Sequence, residues 1–226
     1  MNFVSKAQVI QIFNHSPIIR EYILELEKER KYSPGSFVQL TLDLVTASDI
    51  WPGSRTFSIA SYQKGIMRFV IKKVGYYTDK IFNELNIGNY CTVKYPFGEL
   101  FKQNTEDEKH VFIAGGVGVT PFLGLLEYFK AINKLENVSM LYSVKHEADL
   151  LHIDSTKKRL DNRLKVFITQ EITEIYTNRR IIVDDINQVA YQDSNIYVCG
   201  SKTFNADFIS RLNEHGYQKI HVDEWE

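Results

Sequence analysis

A glycine-rich stretch at residues 114–121 constrains the fold of this chain more than any other part of the sequence. It contains Gly115, Gly116 and Gly118 and ends on Pro121. A short apolar, β-branched run at 110–113 precedes it, and apolar residues recur at helical spacing after it. Because glycine permits sharp turns and proline suits the first turn of a helix, this order predicts a strand, a tight turn and a helix.

A turn of this kind has a chemical consequence. The free amides at the start of the helix, together with the positive end of the helix dipole, attract phosphate. The stretch therefore predicts a site for a phosphate-bearing ligand such as a dinucleotide. Its spacing is G-x-G-x-x-P rather than G-x-G-x-x-G, and no Gly-Lys-Ser/Thr follows as in a P-loop. The alternative is a strand–helix turn that binds no ligand.

The first hundred residues have the pattern of an all-β domain. Six short runs, most of them alternating between apolar and polar residues, are separated by turn signals, at 7–13, 22–27, 37–44, 56–60, 67–74 and 90–95. A short helix is predicted at 78–85, with Thr78 as its cap. We expect an antiparallel six-stranded Greek-key barrel, since closure would leave no exposed strand edges.

From residue 110 onward, strands and helices alternate. Strands are predicted at 110–114, 138–142, 164–169, 196–199 and 219–222, and helices at 121–133, 147–160, 181–190 and 203–215. This alternation predicts an α/β domain with a parallel five-stranded sheet, whose ligands bind beyond the carboxyl ends of the strands. The polar run at 102–109 marks the predicted boundary between domains 1–104 and 109–226, the alternative being a long surface hairpin.

Composition excludes several classes of protein. Lys plus Arg number 27 against 28 for Asp plus Glu, so the basic excess of a nucleic-acid binder is absent. Cys91 and Cys199 alone cannot form a four-cysteine metal site or a disulfide scaffold. No signal-like start and no apolar run of about 18 residues is present, so we expect a cytoplasmic protein without a membrane span. The six histidines lack metal-ligand spacing, and no metal site is predicted; they are His15, His110, His146, His152, His215 and His221.

The order of barrel and sheet, together with five motifs, resembles the ferredoxin–NADP reductase family of flavoproteins. The motifs stand in the family's order over nearly the whole chain. Residues 55–61 are similar to its Arg-x-Tyr-Ser flavin motif, with Phe57 where tyrosine is usual. The other four matches are the turn and strand at 34–38, the Gly-x-x-Ser/Thr segment at 75–78, the nucleotide motif at 116–121, and the pair Cys199-Gly200.

This resemblance implies FAD in the barrel, NADH or NADPH on the sheet domain, and hydride transfer between their rings. Arg55 would pair with the FAD pyrophosphate, Phe57 would flank the flavin, and Ser58 would bond its N5 edge. One of Lys72 and Lys73 would face phosphate and the other solvent, although register alone leaves open which one. The remaining residues implied to bind the flavin cofactor are Thr56, Val74, Gly75, Tyr77 and Thr78.

The resemblance also implies residues around the nicotinamide. Cys199 would position the nicotinamide ring, the alternative being a buried thiol that only packs. Asp223 and Trp225 match the family's C-terminal carboxylate and its aromatic that stacks on the flavin, so the implied catalytic group is Ser58, Cys199, Asp223 and Trp225. The implied coenzyme-binding residues are Gly116, Gly118, Thr120, Pro121, Lys145 and Gly200, with Trp225 also contacting the flavin.

The choice of coenzyme and of electron acceptor stays open. Lys145 favours the 2′-phosphate of NADPH, but residues 169–171 lack the arginine that NADPH users in this family commonly carry there. A separate ferredoxin, flavodoxin or oxygenase component is the expected partner of a monomeric chain. The alternatives are a reductase of free flavin, quinone or ferric chelates, and a nucleotide-binding module without catalysis.

Overall fold

The computed structural model describes residues 3–61, 63–101 and 105–222. The first of its two sheets is antiparallel and has the strand order β4-β3-β6-β1-β2-β5. Its strands are β1 (Phe3–Ser16), β2 (Ile19–Leu26), β3 (Phe37–Thr41), β4 (Arg55–Ser58), β5 (Ile66–Lys72) and β6 (Tyr90–Phe97). The end strands β4 and β5 approach each other where the amide of Ala60 donates to the carbonyl of Arg68 at 2.7 Å. The sheet is thus a nearly closed barrel, which confirms the predicted six-stranded antiparallel architecture.

Alternation along the strands fills the interior of the barrel. Tyr22 and Leu24 point inward from β2 and are fully buried. Helix α1 (Tyr76–Glu84) packs against this core through Ile81 and Phe82. The helix begins two residues before the predicted start, so Thr78 lies in its first turn instead of preceding it. Its hydroxyl accepts the amide of Gly75 at 3.1 Å, which still satisfies a group that the helix leaves free.

The second sheet is parallel, with the strand order β11-β10-β7-β8-β9. Its strands are β7 (His110–Gly115), β8 (Val138–Val144), β9 (Leu164–Ile168), β10 (Asn195–Cys199) and β11 (Ile220–Val222). Helices α2 (Thr120–Ala131) and α3 (Ile153–Leu160) cover one face, and α4 (Val183–Asn187) and α5 (Lys202–Glu214) the other. This confirms the predicted α/β fold. The chain crosses from one side of β7 to the other between β9 and β10, and ligands of open sheets bind at such a switch point.

Two predicted helices are shorter than their sequence patterns suggested. Helix α4 covers only Val183–Asn187 of the predicted 181–190. In place of a single helix over 147–160, the chain forms a 3₁₀ turn at Glu147–Asp149 and begins α3 only at Ile153. His152, immediately before α3, has a φ of 53° in the left-handed region, which interrupts a right-handed helix. No helix in the described ranges has both the length and the apolar character that a membrane crossing requires.

The two sheets meet along a tightly packed seam. Gly124 of α2 lies against the segment that follows β4, where an added Cβ would stand 2.9 Å from the carbonyl oxygen of Ile59. Arg68 of β5 bonds Glu127 of α2 through Nη2 and Oε1 at 2.8 Å. These contacts hold the end of β4 beside the helix that follows the glycine turn.

Candidate functional site

A cleft of about 930 Å³ opens between the barrel and the parallel sheet. This volume lies in the upper part of the range for ligand pockets. The barrel wall consists of β4, the end of β5 and the start of α1, and the opposite wall consists of loops at the carboxyl ends of β7, β8, β9 and β10. The flavin-type motif and the nucleotide-type motif, more than 50 residues apart, therefore line one cavity.

On the barrel wall, β4 presents four consecutive residues to the cleft. Arg55 is exposed, and its guanidinium lies 5.0 Å from the ring centroid of Tyr77. Thr56 and Phe57 are half-buried, and Ser58 is 8% exposed. The wall therefore changes from a cationic rim to an apolar and hydroxyl-bearing interior, which suits a ligand with a phosphate at one end and an aromatic ring at the other.

The segment after β5 forms the rim next to Arg55. The hydroxyl of Thr78 accepts the amide of Val74 at 2.9 Å and that of Gly75 at 3.1 Å, which makes the turn into α1 rigid. Lys72 lines the cleft, whereas Lys73 is not among its lining residues and pairs with Asp79 at 3.3 Å. Neighbouring positions at the strand end thus face opposite sides, and the structure assigns Lys72 to the cleft side.

On the sheet wall, the glycine turn forms a 3₁₀ turn at Gly116–Val119 that leads directly into α2. Gly116 has a φ of 57°, and an added Cβ there would meet nothing within 4 Å. At Gly118, an added Cβ would lie 2.2 Å from the carbonyl oxygen of Cys199. Only glycine therefore lets the turn rest on the end of β10. Thr120 lines the cleft, but Pro121 is buried in the first turn of α2 behind it.

The far end of this wall contains Cys199, Gly200 and a group of cations. Cys199 is 1% exposed, and its carbonyl oxygen lies against Gly118 where both residues line the cleft. Lys145, which follows β8, is exposed at the cleft edge, and Arg180 lines the same edge from the irregular segment after β9. Among the described residues, the side chain of Arg180 forms no hydrogen bond or ion pair. The sequence missed Arg180 because no strand or helix pattern places residue 180 beside residue 145.

Asp223 and Trp225, the predicted C-terminal carboxylate and stacking aromatic, lie outside the described residues. The described chain ends with β11 at Val222. Their roles therefore stay predictions.

A second group of polar side chains lies at the seam, outside the residues that line the cleft. Glu21 of β2 is 1% exposed, and its Oε2 is bonded to Nε2 of His15 at 2.9 Å and Nε2 of His152 at 2.7 Å. Arg68 Nε lies 3.2 Å from the other oxygen, Oε1. Burial alone would raise the pKa of Glu21, but the two histidine hydrogen bonds and the charges of His152 and Arg68 bring that pKa down to about 2. Sequence spacing could not reveal this group, since Glu21 and His152 are 131 positions apart.

Comparisons with known proteins agree with this architecture. Residues 112–209 match the family model of the oxidoreductase NAD-binding domain. The chain is 25% identical over 209 residues to the electron transfer component of anthranilate 1,2-dioxygenase from Acinetobacter baylyi, covering 86% of this chain and 58% of that protein. It spans less than half the length of the first three curated relatives it matches, at 23%, 32% and 44%.

Two solved structures share the fold over nearly their full length. The FAD/NAD-binding domain of nitric oxide dioxygenase from Vibrio cholerae superposes with a TM-score of 0.84 at 17% identity, covering 97% of both chains. A ferredoxin NADP⁺ reductase from Neisseria gonorrhoeae superposes with a TM-score of 0.80 at 16% identity, covering 97% of this chain and 98% of that one.

A nearly closed antiparallel barrel, followed by a parallel sheet with a glycine turn at the shared cleft, is the two-domain fold that these FAD- and NAD-binding structures share. The fold of the chain is that of the ferredoxin–NADP reductase-like flavoproteins, and its residues 112–209 match the oxidoreductase NAD-binding domain. The resemblance found in the sequence is thereby confirmed.

Proposed function

We propose that this chain is a flavin-dependent oxidoreductase that takes hydride from NADPH or NADH onto FAD and passes single electrons to a separate carrier protein. Residues 1–104 would bind FAD and residues 109–226 the nicotinamide coenzyme. The observation that carries this proposal is the single cleft lined by both Arg55–Ser58 of β4 and the glycine turn after β7.

The cleft residues fit FAD in charge and shape. Arg55 and Lys72 supply positive charge at the rim, where the pyrophosphate would lie, and a planar guanidinium can form two parallel bonds to phosphate oxygens. Phe57 would pack against the flavin or its sugar chain, and Ser58 would donate to the edge of the ring. Val74, Gly75, Tyr77 and Thr78 would cover the phosphate end, and Thr56 completes that wall.

The sheet wall fits a nicotinamide dinucleotide. The turn at Gly116–Val119 brings the backbone close to the ligand, and the positive end of α2 favours its pyrophosphate. Gly118 and Gly200 lie where the nicotinamide would enter, next to Cys199. Because Cys199 is buried, we assign it a role in positioning the nicotinamide and none as a nucleophile.

Bound flavin would supply the ability to accept a hydride and release electrons one at a time, and the protein would supply geometry. Close packing of Gly124 on the segment after β4 keeps the two walls at a defined separation. Holding the reacting rings about 3–3.5 Å apart replaces a random encounter by a preorganised contact. Asp223 and Trp225 would act next to the rings, as the family resemblance implies.

We propose NADPH as the preferred coenzyme. Lys145 and Arg180 stand at the same edge of the cleft, so two cations could contact a ribose 2′-phosphate. Arg180 would thereby replace the arginine missing from residues 169–171. The cytoplasmic location and monomeric state that the sequence predicts stay predictions.

A visible spectrum of the purified protein, followed by anaerobic titration with NADPH and with NADH, tests the proposal. We expect a flavin spectrum that bleaches with one equivalent of NADPH and more slowly with NADH. Turnover with ferredoxin or flavodoxin, compared with free FMN and ferric citrate, then separates a carrier reductase from a reductase of small acceptors. A colourless protein that takes up no FAD would contradict the proposed function and favour a non-catalytic module.

A further inference from the structure

We propose that His15, Glu21 and His152 form a binding site for a divalent first-row transition metal such as Zn²⁺, which would join the barrel to the parallel sheet. The three ligand atoms, two imidazole nitrogens and one carboxylate oxygen, all lie within 4.8 Å of one another. Two histidines and one carboxylate, with a position left for water, are a donor set that Zn²⁺ accepts. None of the three residues lines the cleft, so this site is separate from the proposed flavin and nucleotide site.

The carboxylate of Glu21 supplies the negative charge of this site. Glu21 is 1% exposed, and its Oε1 lies 3.2 Å from Nε of Arg68. The half-buried Glu127 contacts the same guanidinium at 2.8 Å. Buried charged groups in proteins are paired or coordinate metals, and a metal ion would be a second partner for the buried carboxylate of Glu21.

Arg68 also orients the carboxylate for metal binding. Its Nε lies next to Oε1 of Glu21, while both histidines contact Oε2. One oxygen thus faces a positive charge at ion-pair distance, although the two atoms do not form a hydrogen bond, and the other oxygen is directed at the imidazoles. Such outer-shell partners fix ligand orientation in known metal sites.

The backbone directs both histidines toward Glu21 from irregular positions. The pairing of β1 with β2 shifts register between Asn14 and Ser16, so His15 stands at a bulge. A bulge re-aims a side chain that regular pleating would direct elsewhere. His152 has a left-handed φ of 53°, which is uncommon for a residue other than glycine. The ligands therefore come from β1, β2 and the start of α3, and they meet only in the folded protein.

Small movements suffice for metal binding. The observed Nε2–Oε2 separations of 2.9 and 2.7 Å are hydrogen-bond distances. Around a tetrahedral ion with bonds of about 2.0–2.2 Å, ligand atoms lie roughly 3.4 Å apart. Each ring would withdraw from the carboxylate oxygen by about half an ångström, and the two imidazole nitrogens, which lie within 4.8 Å of each other, would also settle at that spacing. The side chains of His15 and His152 are 23% and 26% exposed, which leaves a path for the ion and for a water ligand. In each histidine Nε2 would lose its proton and become the ligand, and the single proton of the neutral ring would be carried on Nδ1.

Calorimetric titration of the untagged, chelator-treated flavoprotein with Zn²⁺ tests the site. We expect one equivalent of Zn²⁺ per chain, with a Kd that rises more than about 100-fold in His15→Gln and in His152→Gln, a larger loss than removing an outer-shell partner causes. Glutamine keeps a donor at nearly the same point, so the hydrogen bond to Glu21 can persist while metal ligation is lost. The matched control is His146→Gln, at an exposed histidine outside the three-residue group, and this variant should bind Zn²⁺ as the wild type does.

A measurement on the unmutated protein tests the same proposal if a variant fails to fold. With Co²⁺ in place of Zn²⁺, the proton NMR spectrum should show two strongly shifted, exchangeable imidazole signals, one for each histidine. The proposal is overturned if the wild type binds no Zn²⁺, if His146→Gln weakens binding as much as His152→Gln, or if no shifted imidazole signals appear with Co²⁺. In those cases the three residues form only a hydrogen-bonded contact between the two sheets.

Discussion

Replacing Gly118 by alanine tests whether the glycine turn depends on close contact with the end of β10. The added Cβ would lie 2.2 Å from the carbonyl oxygen of Cys199, 2.5 Å from its carbonyl carbon and 2.8 Å from the amide nitrogen of Gly200. Ordinary contacts of a Cβ begin at 3.4 Å, so the turn would have to move away by about 1 Å. All three neighbouring atoms belong to the backbone, and no flexible side chain can yield instead.

The size of the effect follows from this geometry. Overpacking of this kind costs about 1–3 kcal/mol of stability. Alanine also has less conformational freedom than glycine in the unfolded chain, which raises the free energy of unfolding by about 0.4–1 kcal/mol. This gain applies here because Gly118 does not have a left-handed φ. Taking the middle of each range, the expected net loss is about 1.3 kcal/mol, or roughly 3–5 °C in Tm for a chain of this size. A turn displaced by about 1 Å should also slow flavin reduction by about 100-fold.

Thermal unfolding of Gly118→Ala, together with stopped-flow reduction by NADPH, provides the two readouts. The matched control is Gly53→Ala, where an added Cβ would meet nothing within 4 Å and φ is not left-handed. We expect the control to match the wild type in both measurements. The reasoning is refuted if Gly118→Ala unfolds within 1 °C of the control and is reduced at the same rate.

Three further predictions concern charge. Burial lowers the pKa of His110 to about 4, so the unfolded chain binds more protons between about pH 6.5 and 4. Stability should therefore fall by about 3 kcal/mol as pH drops through that interval, and His110→Gln should flatten the fall in denaturant titrations. Arg55→Ala should weaken FAD binding by about 10–100-fold, measured from the fluorescence of released flavin, with unchanged Tm of the apoprotein. Lys145→Ala combined with Arg180→Ala should raise the KM for NADPH by about 10–100-fold and leave the KM for NADH unchanged, whereas an equal rise for both coenzymes would contradict a 2′-phosphate contact.

Much of the architecture is a local property of the sequence and could be predicted from it. The alternation in β2 and β3 reports which residues face the barrel interior, because side chains of a strand point to opposite sides. The order of glycines and Pro121 also predicts the turn between β7 and α2, because the conformation of such a turn depends only on neighbouring residues. The helix at 147–160 was predicted too long, because nothing in the pattern shows that His152 turns left-handed to reach Glu21.

The sequence by itself determined that a barrel precedes a parallel sheet and that a glycine turn follows the strand predicted at 110–114. Only the tertiary structure decided that Lys72 rather than Lys73 lines the cleft, that Arg180 joins Lys145 there, and that His15 and His152 meet on a buried Glu21. The physical reason is how far apart in the sequence the interacting residues are. Secondary structure and turns depend on residues a few positions apart, whereas these groups are formed by packing one sheet against another, which brings together residues that share no local pattern.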